Sequence, residues 1–267
     1  MSDLARGQHM RIDQIIGADH PITDREYRDK CRDALDRDGV LTLQGFFTLQ
    51  AINQATEEGI SLFNDAYFCK SSHNIYLTPT DTDLPQDHPH NRQVISSKGL
   101  VGDDQVPDGS PLKTLYRDAA FKSFVAHVVG QDQLYPYADP LSSVNIHYAG
   151  EGQELGWHFD NSSFAITLLL DKPQAGGVFE YVRDLRNADA GDMNYDGVAA
   201  VLDGKVKPRQ LQMDPGTLVL FRGRNSLHRV TPTEGKKVRL LAVLAYNSKP
   251  GIELSESART TFYGRLN

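Results

Sequence analysis

The sequence predicts an α+β fold: a double-stranded β-helix, or cupin-like jelly roll, buttressed by N-terminal helices. Three observations carry it. The first third reads as helix, strand, helix. From Tyr135 onward, short β-rich runs at 142–149, 164–170, 177–182, 209–213, 217–221, 226–231 and 237–246 are separated by Gly, Pro and Asp, as in sandwiches and barrels. Two of these runs flank His158-Phe159-Asp160, and a third carries His228.

Each element has a local cause. Residues 1–20 are polar and without periodicity, which predicts a loose arm. Thr23-Asp24-Arg25-Glu26 reads as a capping box opening a helix. Tyr27, Cys31 and Leu35 then share one helical face up to Gly39, so Cys31 is a core residue. Val40–Leu43 is a short strand. Thr48 caps a second helix carrying Leu49 and Ile52, with Phe63 and Tyr67 as further inward candidates. The segment 71–107 is rich in Pro, Asp and His and lacks periodicity, which predicts a lid or binding loop. Its histidines His73, His88 and His90 have no partner in a strand or helix and are not assigned as ligands. Ser110-Pro111 starts another helix, and Phe121, Phe124, Val125 and Val128 extend its stripe to Gly130 after a break near Asp118. The polar insert 183–207 is expected on the surface near the site, helical around Tyr195–Leu202. The chain is read as one domain: support and lid at 21–134, jelly roll at 135–250, and a closing segment at 251–267.

Composition narrows the function classes. A chain of 267 residues with 39% hydrophobic and 24% charged residues is an ordinary soluble protein. A formal charge of −7 and the lack of any Lys/Arg run argue against a nucleic-acid groove. No apolar run reaches membrane-spanning length and the start is not a signal peptide. Two cysteines without metal-binding spacing predict a reduced, cytoplasmic protein. The expected partner is a small-molecule substrate, in a monomer or homodimer.

His158 and Asp160 are two apart, so on an extended strand both point the same way. His228 arrives on a strand that the jelly roll returns alongside. Two imidazoles and one carboxylate on one face of an octahedral metal, with the other positions open, is the arrangement of non-haem Fe(II) oxygenases. Arg239 follows His228 by eleven residues. On a strand 237–246 it points into the barrel with Leu241, Val243 and Ala245, and a buried guanidinium calls for an anion.

In metal motif, spacing and strand context the chain resembles the Fe(II)- and 2-oxoglutarate-dependent dioxygenases over about residues 140–250. The resemblance implies His158, Asp160 and His228 as metal ligands. It implies Fe(II), 2-oxoglutarate and O2 as cofactor and co-substrates, with the distal carboxylate of 2-oxoglutarate on Arg239. Tyr148 and Thr167 are further candidates for that co-substrate. GWHFDNSSFAITLLL, GTLVLFRGRNSLHRVTP and TFYGR resemble, more narrowly, small bacterial dioxygenases related to the free-lysine radical halogenases. Halogenating members carry glycine in place of the ligand carboxylate; this chain keeps Asp160, so hydroxylation is expected. The same likeness makes Arg92 the candidate for a substrate carboxylate, with Asn161 and Tyr263 as pocket candidates. The apolar inner face of the Arg239 strand predicts a free amino acid with a neutral or weakly polar side chain. Two other readings stand beside this one: a non-catalytic, ligand-binding cupin, and a hydroxylase of protein side chains such as prolyl.

Overall fold

The structure is a computed structural model and describes residues 10–267. It opens with a short helix, α1 (Ile12–Ile15), and Met10 and Ile15 are buried in the main core. The expected loose arm is therefore corrected for residues 10–20, while its residues 1–9 lie outside the described residues. Helix α2 (Arg25–Asp38) is capped by Asp24 rather than Thr23: the Asp24 carboxylate accepts from the Tyr27 amide at 2.7 Å. Gly39, at a φ of 72°, ends it in the left-handed conformation that lacks a Cβ penalty. Strand β1 (Val40–Leu43) and helix α3 (Leu49–Ser61), capped by Thr48, follow as expected, but of the inward candidates only Ile52 is buried, while Leu49, Phe63 and Tyr67 are exposed.

The largest correction concerns 71–107. Much of it is sheet: β2 (Tyr67–Asn74) pairs antiparallel with β3 (Gln93–Val101), leaving 75–92 as the irregular part. Ser, Lys and His at alternate positions hid the strand signal, because those side chains face a polar interior rather than a core. Helices α4 (Pro111–Arg117) and α5 (Ala119–Val129) follow, divided at Asp118, which caps the second.

The strand-rich part comprises β4 (Val144–Ala149), β5 (Leu155–His158), β6 (Ala165–Asp171), β7 (Ala175–Gly176) and β8 (Phe179–Val182). Helix α6 (Tyr195–Leu202) stands in the insert, where the sequence placed it. It is followed by β9 (Arg209–Leu211), β10 (Leu218–Phe221), β11 (Leu227–Val230), β12 (Thr233–Glu234), β13 (Arg239–Leu244) and α7 (Glu256–Tyr263). The main sheet runs β1-β10-β6-β13-β4-β3-β5-β11-β8-β9, with β2 on β3, and curls into the jelly roll. Strand β5 was not foreseen as a separate strand; its four residues deliver the first histidine.

Alternation along the strands separates two faces. Val144, Ile146 and Tyr148 of β4, Ile166, Leu168 and Leu170 of β6, and Leu240, Ala242 and Leu244 of β13 all join the core packed against the helices. Each large aliphatic side chain buried there contributes about 1.5–3 kcal/mol. The intervening residues, Asn145 and His147, Thr167 and Leu169, and Arg239, Leu241 and Val243, are paired across the strands and turn to the barrel interior. A smaller cluster joins Ile75 and Tyr76 of the 75–92 loop to Phe159 and to Val198 and Val201 of α6. Among the described residues, no helix is long and apolar enough to cross a membrane.

Candidate metal centre

Strand β5 ends on His158, and β11 runs antiparallel beside it with His228 directly opposite. Each imidazole is turned by its own backbone. His158 Nδ1 donates to the Gly156 carbonyl at 2.8 Å, and His228 Nδ1 to the Ser226 carbonyl at 3.0 Å. With the proton fixed on Nδ1, the lone pair of each ring resides on Nε2, the tautomer a metal ligand needs. Asp160 follows β5, its amide donating to the Gly223 carbonyl at 3.1 Å. Its Oδ1 stands 3.6 Å from His158 Nε2 and 3.5 Å from His228 Nε2.

The donor atoms of the three side chains all lie within 4.8 Å of one another. Asp160 Oδ2 is buried without a hydrogen-bond partner, and a buried acceptor left unpaired is costly. Burial pushes the His158 pKa down to about 3, helped by His228, so this imidazole is neutral at ordinary pH. Burial alone would raise the Asp160 pKa, but His228 and His158 beside it bring it below the usual carboxylate value. Two imidazole nitrogens and one carboxylate, whose second oxygen lacks a partner, fit a divalent first-row metal such as Fe(II).

Arg239 opens β13 and is buried, 6% exposed. Burial lowers its pKa to about 10, and among the described residues no carboxylate pairs with it. It lines a cavity of about 280 Å³ together with Leu169, Gly177, Phe179 and Met213. Phe179 also packs on the His228 ring, 5.6 Å between centroids, so the cavity adjoins the metal ligands. Thr167 faces the same interior, opposite Val243 of β13.

Two sequence candidates are placed elsewhere. Tyr148 lies on the helix-facing side of β4, and its hydroxyl donates to the Gly59 carbonyl of α3 at 2.8 Å. The two-residue period of β4 sends His147, not Tyr148, toward the cavity. Arg92 is held by Asp203 at 2.6 Å, at the end of α6, and so already has its anion. Asn161 is exposed at the rim, its carbonyl accepting from Arg224 at 3.3 Å. Tyr263 of α7 is buried and its hydroxyl hydrogen-bonds Asn145 of β4.

Sequence reading passed over several residues that the fold gathers here. Ser96 of β3 accepts from the Gly156 amide at 3.0 Å and bonds His73 Nε2 at 2.7 Å, bracing the turn of chain that aims His158. Arg186 lies over the Phe159 ring at 4.1 Å, next to the ligand Asp160 in sequence. Lys98 and His147 share the inner face of the sheet. No local signal marks any of these; only strand pairing brings them together.

Fold and ligand set together define a member of the Fe(II)- and 2-oxoglutarate-dependent oxygenases. Similar solved structures include a 2OG-Fe(II) oxygenase family protein from Burkholderia pseudomallei, at a TM-score of 0.51 and 14% identity over 85% of this chain and 93% of that one. A prolyl hydroxylase of Trichoplax adhaerens, bound to a hypoxia inducible factor peptide, gives 0.55 and 13% over 84% and 90%. The carbocyclase SnoK of nogalamycin biosynthesis gives 0.56 and 10% over 86% and 89%. Likenesses this remote speak for the fold alone. A comparison with curated protein sequences finds no match. The family model for halogenase D matches residues 23–262, and the chain belongs to that family.

Proposed function

We propose that this protein is a hydroxylase, inserting oxygen into an unactivated C–H bond of a small free amino acid or a close derivative. The observation that carries the reading is Asp160: its carboxylate completes the ligand set with His158 and His228. A glycine there would leave a coordination position for a halide; the carboxylate occupies it. Bound Fe(II), with 2-oxoglutarate and O2, supplies the oxidising power that no side chain provides, yielding succinate, CO2 and a hydroxylated product.

The protein's part is placement. His158 and His228 are held in one tautomer by backbone carbonyls, and Asp160 is braced by its amide on the Gly223 carbonyl. Arg239 would hold the distal carboxylate of 2-oxoglutarate in the cavity that adjoins the metal ligands, where burial makes a charge-assisted bond strong. Leu241 and Val243 line the space between as apolar walls. The 75–92 loop is docked on α6 through Tyr76 and Tyr195, 5.6 Å apart and edge to face. That closure favours a small substrate over a polypeptide. Free Cys31 and Cys69 fit a reducing compartment, the cytoplasm. The test is a screen of the free amino acids with succinate release and product mass as readouts. Succinate formed equally with and without every amino acid would remove the reading.

A further inference from the structure

Strand β3 presents Ser96, Lys98 and Leu100 on one face and Ser97, Gly99 and Val101 on the other. The register fixes which is inner. Gly99 stands opposite Tyr148, which belongs to the helix-facing core, while Leu100 stands opposite His147. Lys98 therefore shares the barrel face with His147 and with Ser96, whose hydroxyl braces the chain at His158. Directly across on β2 is Cys69, and the ring of Phe262 from α7 covers the ammonium at 5.2 Å.

Among the described residues this ammonium makes no hydrogen bond or ion pair, and the charges that act on it are those of Cys69 and Asp160. Burial lowers its pKa, against those two influences. Lys98 is half-buried, so its ammonium is a partly desolvated cation without an anion, and the interior holds a second cation, the buried Arg239. The charges of both reach His147, whose pKa burial and these two cations hold well below the ordinary value. Asp160, Lys98 and Arg239 sum to one positive charge; Fe(II) and a 2-oxoglutarate dianion cancel. With Arg239 assigned to 2-oxoglutarate, Lys98 is left for one further anion; Arg186, a further cation near Asp160, is engaged with the Phe159 ring and the Arg224 carbonyl. Arg92 does not compete for it, being neutralised by Asp203.

We propose that Lys98 determines substrate specificity by binding the substrate's carboxylate inside the barrel, beneath the lid formed by Phe262 and Tyr263 of α7. This rests on the oxygenase reading of the site. It makes the substrate an acid, turned with its carboxylate toward β3 and its reacting carbon toward the metal ligands.

The test is anaerobic calorimetry on the full chain loaded with Fe(II) and 2-oxoglutarate. The twenty free L-amino acids are titrated, then the amine lacking the carboxylate of each one that binds. For at least one amino acid, wild type should bind the acid about tenfold or more tighter than the amine. Lys98→Met should weaken the acid by about a hundredfold and leave the amine unchanged. Its 2-oxoglutarate Kd should match wild type, which also reports an intact fold, and Lys98→Arg should restore part of the loss. Unaltered acid affinity in Lys98→Met overturns the proposal, as does weakened 2-oxoglutarate binding in its place, or a wild type that binds 2-oxoglutarate but none of the twenty. A wild type that does not bind 2-oxoglutarate sinks the oxygenase reading itself and the proposal with it. Should Lys98→Met not fold, reductive methylation of the native protein, mapped by mass spectrometry, decides. Protection of Lys98 by the acid and not the amine supports the assignment; equal labelling with and without the acid removes it.

Discussion

His158, Asp160 and His228 each contribute one donor atom, so loss of any one leaves a two-point site. Alanine at each should abolish Fe(II)-dependent turnover with the fold retained; near-normal succinate release in any two variants would dismiss the triad. Arg239→Leu removes a buried cation from its cavity, where the other lining cation, Lys172, is paired with Asp214. The 2-oxoglutarate Kd should rise by about a hundredfold, and an unchanged Kd by calorimetry would assign Arg239 to another anion. Gly223 matters through what it lacks: a Cβ there would overlap Asp160 Oδ2. Gly223→Ala should therefore weaken Fe(II) binding by about tenfold or more while the fold holds; wild-type metal affinity would contradict this. Burial also links the site to pH. His158 refuses a proton until about pH 3, whereas the unfolded chain accepts one near 6.5. Below 6.5 the unfolded state thus binds more protons, and stability of the metal-free protein falls with pH, by up to about 1.4 kcal/mol per unit for this group. His147, also depressed, acts in the same direction. Denaturant titrations in chelator at pH 7 and pH 5 should show this loss reduced in His158→Gln.

At the scale of elements, the period of two decides which side chains reach the site. On β4 it turns Tyr148 to α3 and His147 inward; on β13 it turns Arg239 inward with Leu241 and Val243. Tyr148→Phe should then cost about 1 kcal/mol of stability, the worth of its bond to Gly59, and leave the 2-oxoglutarate requirement untouched. A raised requirement in steady-state assays would place Tyr148 back at the co-substrate. The register of β13 was legible from the sequence, because a buried Arg among apolar residues has one sensible side. That of β4 was not: Tyr148 is as compatible with a core as with a pocket, and only the pairing of Leu240 with Tyr148 settles it. The β2–β3 hairpin was missed for a related reason. Strands whose inner face is Ser, Lys and His carry no hydrophobic alternation, and the 75–92 loop between them dominates the composition.

Across the whole molecule, a halogenase D family chain that retains Asp160 should be a hydroxylase. Mass spectrometry of the product formed in excess chloride should find hydroxylation without chlorination, and a chlorinated product from the unmodified chain would refute this. The sequence by itself determined the jelly roll, the buttressing helices, the three metal ligands and Arg239. These depend on local causes: short alternating runs, caps, and a His-x-Asp spacing that places ligands on one side of an extended chain. Tertiary structure alone decided that β1, β2 and β3 join the main sheet, that Arg92 is spent on Asp203, and that Lys98 and His147 share the interior with Asp160. Those facts depend on which strands pair and in what register, across 111 residues in the case of Arg92 and Asp203. Contacts at that separation leave no periodic trace in the chain; they exist only once the sheet has closed and buried charges have had to find, or wait for, a partner.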